Sequence, residues 1–77
     1  MDKELINLEL NREEALVFFE FICRFNENED NKFILDKSEK IVLWNIESIL
    51  EKELSEPFSD NYKEILQKAR AKIKEGK

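Results

Sequence analysis

The stretch N-E-N-E-D-N-K-F-I-L-D-K, residues 26–37, brings side-chain oxygens together at the spacing of a calcium loop. Asn26, Asn28 and Asp30 stand at its first, third and fifth places, and Phe33 at the eighth. Such a loop needs glycine at the sixth place for its sharp turn and a bidentate glutamate at the twelfth. Asn31 and Lys37 stand there instead, so the run reads as a solvated turn and no metal is expected. Catalytic groups are equally sparse. The chain has no histidine, which removes the commonest general base. Cys23 is the only cysteine, and its neighbours Ile22 and Phe25 suggest a buried thiol with no imidazole or cation to activate it. Gly76 is the only glycine, so no phosphate-cradling loop can form. The serines fall near helix starts and connections, where capping accounts for them. Paired carboxylates are plentiful, as in any acidic helix. These residues predict a protein that is not an enzyme and takes no cofactor.

Cations offer a second chemistry. Residues 1–60 carry sixteen acidic and seven basic side chains; residues 61–77 carry two acidic and six basic ones. In the last helix Lys63, Arg70 and Lys74 line one flank of an apolar stripe, and Lys68 and Lys72 line the other. The first three are a candidate nucleic-acid surface. Against this, the whole chain is acidic at net −5, which opposes phosphate. Lysines beside a stripe also serve as the edges of a packing seam, pairing here with Glu13, Glu20, Glu47 or Glu51. Nucleic-acid binding is therefore the secondary reading.

The elements that would position these groups are few and helical. The length, 77 residues, fits one small domain covering residues 1–77, and a single glycine and a single proline favour long helices over a multi-stranded sheet. In I-N-L-E-L-N, Ile6, Leu8 and Leu10 alternate with Asn7, Glu9 and Asn11, which predicts a short strand or extended arm over residues 4–10. Three helices follow, near residues 12–27, 37–54 and 60–75. Asn11 with Glu14, and Asp36 with Glu39, have capping-box spacing, and Ser59 is the expected N-cap of the last helix. K-F-I-L, residues 32–35, is either a second short strand or a loop tucking Phe33 and Leu35 inward. The fold class is thus mainly α, a small three-helix bundle with an N-terminal strand or arm.

The first helix is unusually apolar. Ala15, Phe18, Phe19 and Ile22 centre an arc that Phe21 and Phe25 widen on one side and Leu16 and Cys23 on the other. It spans roughly 220°, against the stripe of about 100° of an ordinary surface helix. Only Glu13, Glu20, Arg24 and Glu27 make a clean polar strip, in which Glu20 and Arg24 can pair at i,i+4. The second helix presents Val42, Leu43, Ile46, Ile49, Leu50 and Leu54 on one face and leaves Ile41 and Trp44 off it. The first two helices are expected to pack antiparallel through Phe18, Ile22, Phe25, Val42, Ile46, Ile49 and Leu50. The third should cover them with Tyr62, Ile65, Leu66 and Ala69.

So much apolar surface in so small a chain predicts a partner. The candidate residues are Phe21 and Phe25, the off-face pair Ile41 and Trp44, and Leu8 on the arm. The partner is expected to be a second copy, another protein, or both, which makes the chain an interaction module, with antitoxin, immunity or regulatory subunits as the kind of role. A lone cysteine fits a reducing compartment. The start M-D-K-E-L-I-N-L-E-L lacks a basic segment before an apolar run, and Glu20 and Arg24 interrupt the longest apolar stretch. A cytoplasmic location without membrane contact is expected.

L-N-R-E-E-A-L-V-F-F-E-F, L-W-N-I-E-S-I-L-E-K-E-L-S-E-P-F and N-Y-K-E-I-L-Q-K-A-R together resemble an uncharacterised group of small bacterial proteins, cyanobacterial ones included. That group carries an R-E-E-A-L run, then L-W-x-x-E and E-P-F before a last helix. The resemblance covers most of the chain and implies bacterial origin and a shared helical fold. It implies no function and no functional residues. Ser59-Asp60 departs from the Asp-Pro of the group's pattern. Bacteriocin nuclease immunity proteins are similar only in size, acidity and helicity, and their Tyr-Tyr-Pro recognition motif is absent.

Overall fold

The computed structural model describes residues 4–28, 30 and 32–76. Asn31, at the glycine place of the calcium-loop pattern, lies outside them. Among the described residues there are three helices and one 3-10 turn: α1, Arg12–Glu27; α2, Lys37–Glu53; the 3-10 turn, Glu56–Phe58; and α3, Tyr62–Glu75. No strand occurs among the described residues, so of the two alternatives for each segment, residues 4–10 are an arm and residues 32–35 a loop. Residues 4–10 form an exposed arm without regular structure, and Phe33 and Leu35 are exposed instead of tucked in.

The first two helices start where their caps dictate. Asn11 Oδ1 accepts from the Glu14 N–H at 2.8 Å, and Glu14 Oε1 accepts from the Asn11 N–H at 3.0 Å, a complete capping box. Glu13 and Glu14 sit at the positive end of the helix dipole. At α2 the pattern slips by one residue. Asp36 Oδ2 accepts from Ser38 N–H at 2.8 Å, and Glu39 Oε1 reaches back to Leu35 N–H at 2.8 Å. Ser38 thereby holds the Asp36 carboxyl below its usual range. Ser59 is not the N-cap of α3. It closes the 3-10 turn, its N–H donating to Glu56 O at 2.9 Å, while Asn61 leads into α3 without a side-chain cap bond. Pro57, early in the turn, lacks the N–H a longer helix would need.

Helix α1 is central and packs against both α2 and α3. Asn26 meets Glu47, while Ala15 shares a hollow with Leu50 and Leu54, so α1 and α2 run antiparallel. Glu13 meets Lys72 and Glu20 meets Tyr62, so α3 also runs opposite to α1. Leu16, Phe19, Leu50, Leu54 and Ala69 form one buried cluster, with Ala15, Phe18, Cys23, Ile46, Tyr62 and Ile65 packed around it. Ile22 and Leu66 are buried as well. The centre of the α1 face is therefore Leu16, Phe19 and Ile22, rotated from the expected centre toward the α3 side.

The seam of α2 is Leu43, Glu47, Leu50 and Leu54, at i, i+4, i+7, i+11. Val42 and Ile49, expected inside, are 53% and 60% exposed. They lie at the edge of the α2 stripe, where among the described residues Leu8 and Leu10 line a hollow with Ile49 but leave it largely exposed. Cys23 is half-buried, less enclosed than its neighbours suggested. Each buried large side chain contributes roughly 1.5–3 kcal/mol. Seven buried apolar residues among those described make a thin core for this length.

Candidate interaction surface

The motifs that stood out in the sequence act structurally. Arg12 grips Glu56 with two guanidinium nitrogens, Nη2 at 2.9 Å and Nε more closely, and so ties the R-E-E-A-L run to E-P-F. This pairing raises the Arg12 pKa and holds the Glu56 carboxyl below its usual range. Glu47, the glutamate of L-W-x-x-E, accepts from Asn26 Nδ2 at 2.6 Å and from Cys23 Sγ at 3.6 Å. Tyr62 donates its hydroxyl to Glu20 Oε1 at 3.1 Å, and Glu20 lies 3.8 Å from Arg24. These bonds set the register of α1 against its neighbours.

The same surroundings determine reactivity. Burial, followed by the carboxylate and hydrogen bond of Glu47, pushes the Cys23 thiol up to about 12. Burial and the Glu20 hydrogen bond push Tyr62 up to about 12. A thiol held protonated is a poor nucleophile and a poor metal ligand. At the turn after α1, Asp30 N–H donates to Asn28 Oδ1 at 3.2 Å, a local turn bond of the kind Asn favours.

The five candidate partner residues divide among three places. Phe21 and Phe25 lie 5.8 Å apart between ring centroids, tilted by 33°, and the Arg24 guanidinium sits 5.8 Å from the Phe21 ring. Phe21 is 50% exposed and Phe25 partly buried. They line a hollow of about 570 Å³ with Asn28, Asp30, Lys32 and Phe33. Leu8 and Leu10 line a second hollow, of about 340 Å³, with Ala15, Ile49, Leu50 and Leu54. Ile41 and Trp44 lie apart from these on the other flank of α2. Each is about half exposed, and the Lys40 ammonium stands 5.8 Å from the Trp44 ring.

Ile49 lines the second hollow, and Val42 lies two turns before it on α2. With α1 and α2 antiparallel, helical geometry puts Phe18, Phe21 and Phe25 on the same side of the pair as Val42, Ile46 and Ile49. Helix α3 lies on the opposite side, where it meets Glu13 and Glu20. Helix α3 thus packs on one side of α1 and on the 3-10 turn, and the opposite side of the α1–α2 pair exposes Phe21, Val42 and Ile49. Sequence reasoning assigned Val42 and Ile49 to the core. The signal against that was the seam spacing of Leu43, Leu50 and Leu54, which leaves the other two on a shoulder.

On α3, Lys63, Arg70 and Lys74 share one flank, with Arg70 partly buried and the lysines exposed. None of the three is within ion-pair distance of a carboxylate among the described residues. The other flank behaves as a seam edge: Lys72 Nζ lies 3.6 Å from Glu13. Among the described residues no helix is long and apolar enough to cross a membrane. No protein-family model matches the chain, and no curated protein and no solved structure matches it either.

Proposed function

We propose that this chain is a non-enzymatic protein-interaction module that works as a homodimer, in the manner of an antitoxin, immunity or regulatory subunit of the bacterial cytoplasm. The observation that carries this reading is the open face of the α1–α2 layer, where Phe21, Val42 and Ile49 are half exposed or more. A thin core with a wide apolar face is what association completes. The half-buried, protonated thiol suits a reducing compartment, as does the lack of any second cysteine. Sedimentation velocity of Ile49→Asp beside Trp44→Asp tests it. Both positions are exposed enough for the monomer to fold. The reading expects Ile49→Asp to abolish association and Trp44→Asp to leave it intact. A chain that is monomeric at every concentration would defeat the homodimer, and one that also binds no hydrophobic dye would defeat the interaction module.

A second reading is nucleic-acid binding through Lys63, Arg70 and Lys74. It is favoured by their alignment along one flank without carboxylate partners. It expects retention on DNA or RNA that weakens with salt, with a shallower slope once these three are neutralised. No retention at low salt would eliminate it.

A further inference from the structure

The N-terminal arm leaves its own body. Leu10, beside α1, is 38% exposed, Leu8 is 77% exposed and Ile6 is 95% exposed. These are the three residues that alternation places on one side of the arm. Only its base, at Leu8 and Leu10, touches the hollow beside Ile49. The apolar row therefore begins at the edge of the open face, and its exposure rises outward to Ile6.

We propose that the open face is filled by the arm and the α1–α2 layer of a second copy of this chain, with the two arms exchanged across a two-fold axis. This rests on the interaction reading above and names the occupant. Three observations favour a second copy. First, the size fits. The exposed parts of Ile6, Leu8, Leu10, Phe21, Val42 and Ile49, 38–95% of each residue, are on the order of the 800 Å² per partner of a standard interface. Second, the charge permits it. The chain is net −5, yet the charged groups lining the two hollows balance in sign, Asp30 with Lys32 and Glu53 with Arg12, and the exposed Phe21, Val42 and Ile49 carry no charge. Third, the reach fits. Seven extended residues span about 23 Å, and α1 and α2 are each about 25 Å long. An arm that departs at one end of its own face can lie along the whole of its partner's. A two-fold interface is self-complementary, so one apolar row and one open face per chain suffice to close it.

The test is disulfide trapping between differently marked chains, in a Cys23→Ser background. One chain carries Ile6→Cys and the other Val42→Cys; a control pairs Ile6→Cys with Trp44→Cys. The arm-exchanged dimer predicts rapid formation of the cross-chain Ile6–Val42 product on mild oxidation, and little product in the control. Three results would overturn it. One is a double variant, Ile6→Cys with Val42→Cys, that closes only within one chain, because the arm then covers its own face. Another is a dimer that forms without the Ile6–Val42 product, which removes the exchange while leaving the interaction reading intact. The last is a monomer that still binds a hydrophobic dye, which removes the second copy and leaves the face open for a different protein. A monomer that binds no dye ends both readings.

Discussion

Ile49 and Leu50 are adjacent on α2, and the sequence assigns both to the core, yet they end on opposite sides of a boundary. Leu50 is 9% exposed inside the central cluster; Ile49 is 60% exposed beside the arm. Leu50→Ala removes buried carbons and leaves a cavity, at a cost of about 3 kcal/mol. Ile49→Ala removes a similar number of carbons, of which less than half the surface is enclosed in one chain. At ~0.8 kcal/mol per fully buried CH₂ that comes to about 1 kcal/mol. The difference, about 2 kcal/mol, corresponds to roughly 8–16 °C in Tm for a domain of this size. The assay is thermal and urea unfolding, followed by helix signal, at concentrations where sedimentation shows each variant to be a monomer. Leu50→Ala should melt far below Ile49→Ala there. At high concentration the order narrows, because association stabilises the wild type and Ile49→Ala forfeits that gain. Equal losses in the monomer, or a larger loss for Ile49→Ala, would refute the placement of Ile49 on an open face.

Other outcomes follow from the polar contacts. Asn11→Ala breaks the capping box of α1 and should cost about 1 kcal/mol in urea unfolding, with Asn11→Asp retaining most of the stability. The Glu56 carboxyl is held below its ordinary value of 4.5 by Arg12, so its stabilisation is whole above that value and fades as pH falls through the lower folded-state value. An acid titration of stability should therefore lose part of its slope in Arg12→Ala. Cys23 is raised from 9.0 to about 12, so the stability gained by keeping it protonated is whole below 9 and lost as pH climbs toward 12. Cys23→Ser should flatten that alkaline decline. Disulfide-exchange reagents at mildly alkaline pH should react slowly with the wild-type thiol and faster in Glu47→Gln, which removes the next largest cause after burial.

What was legible in the sequence is what local chemistry decides. Asn11 and Asp36 announce the starts of α1 and α2, since a side-chain acceptor at those points satisfies N–H groups that have no partner within the helix. Ser59 misled for the same reason. It has the chemistry of a cap, but its backbone closes the 3-10 turn at Glu56–Phe58, anchored by Arg12 from 44 residues away, and α3 begins only at Tyr62, three residues further on. Glu13 was foreseen as a partner for the α3 lysines and meets Lys72. Val42 and Ile49 could not be placed by period alone, because a period reports a face and not which neighbour covers it. Their exposure depends on α3 settling on the Glu13 and Glu20 side of α1, a choice made by tertiary contacts. Of the candidate surface, Phe21, Phe25 and Leu8 were readable as surplus apolar groups. Ile41 and Trp44 were readable too, but they lie on the far flank of α2 and do not join the others.

The central claim is that the open side of the α1–α2 layer is the surface through which this protein associates. Methyl NMR through a dilution series addresses it residue by residue. The account predicts that the Val42 and Ile49 methyl resonances move as the protein is diluted, in step with the fall in sedimented mass from twice the 9.3 kDa chain mass. The Ile41 and Ile73 methyls should stay in place. Movement at Ile41 while Val42 and Ile49 stay fixed would contradict it, as would a series in which nothing moves.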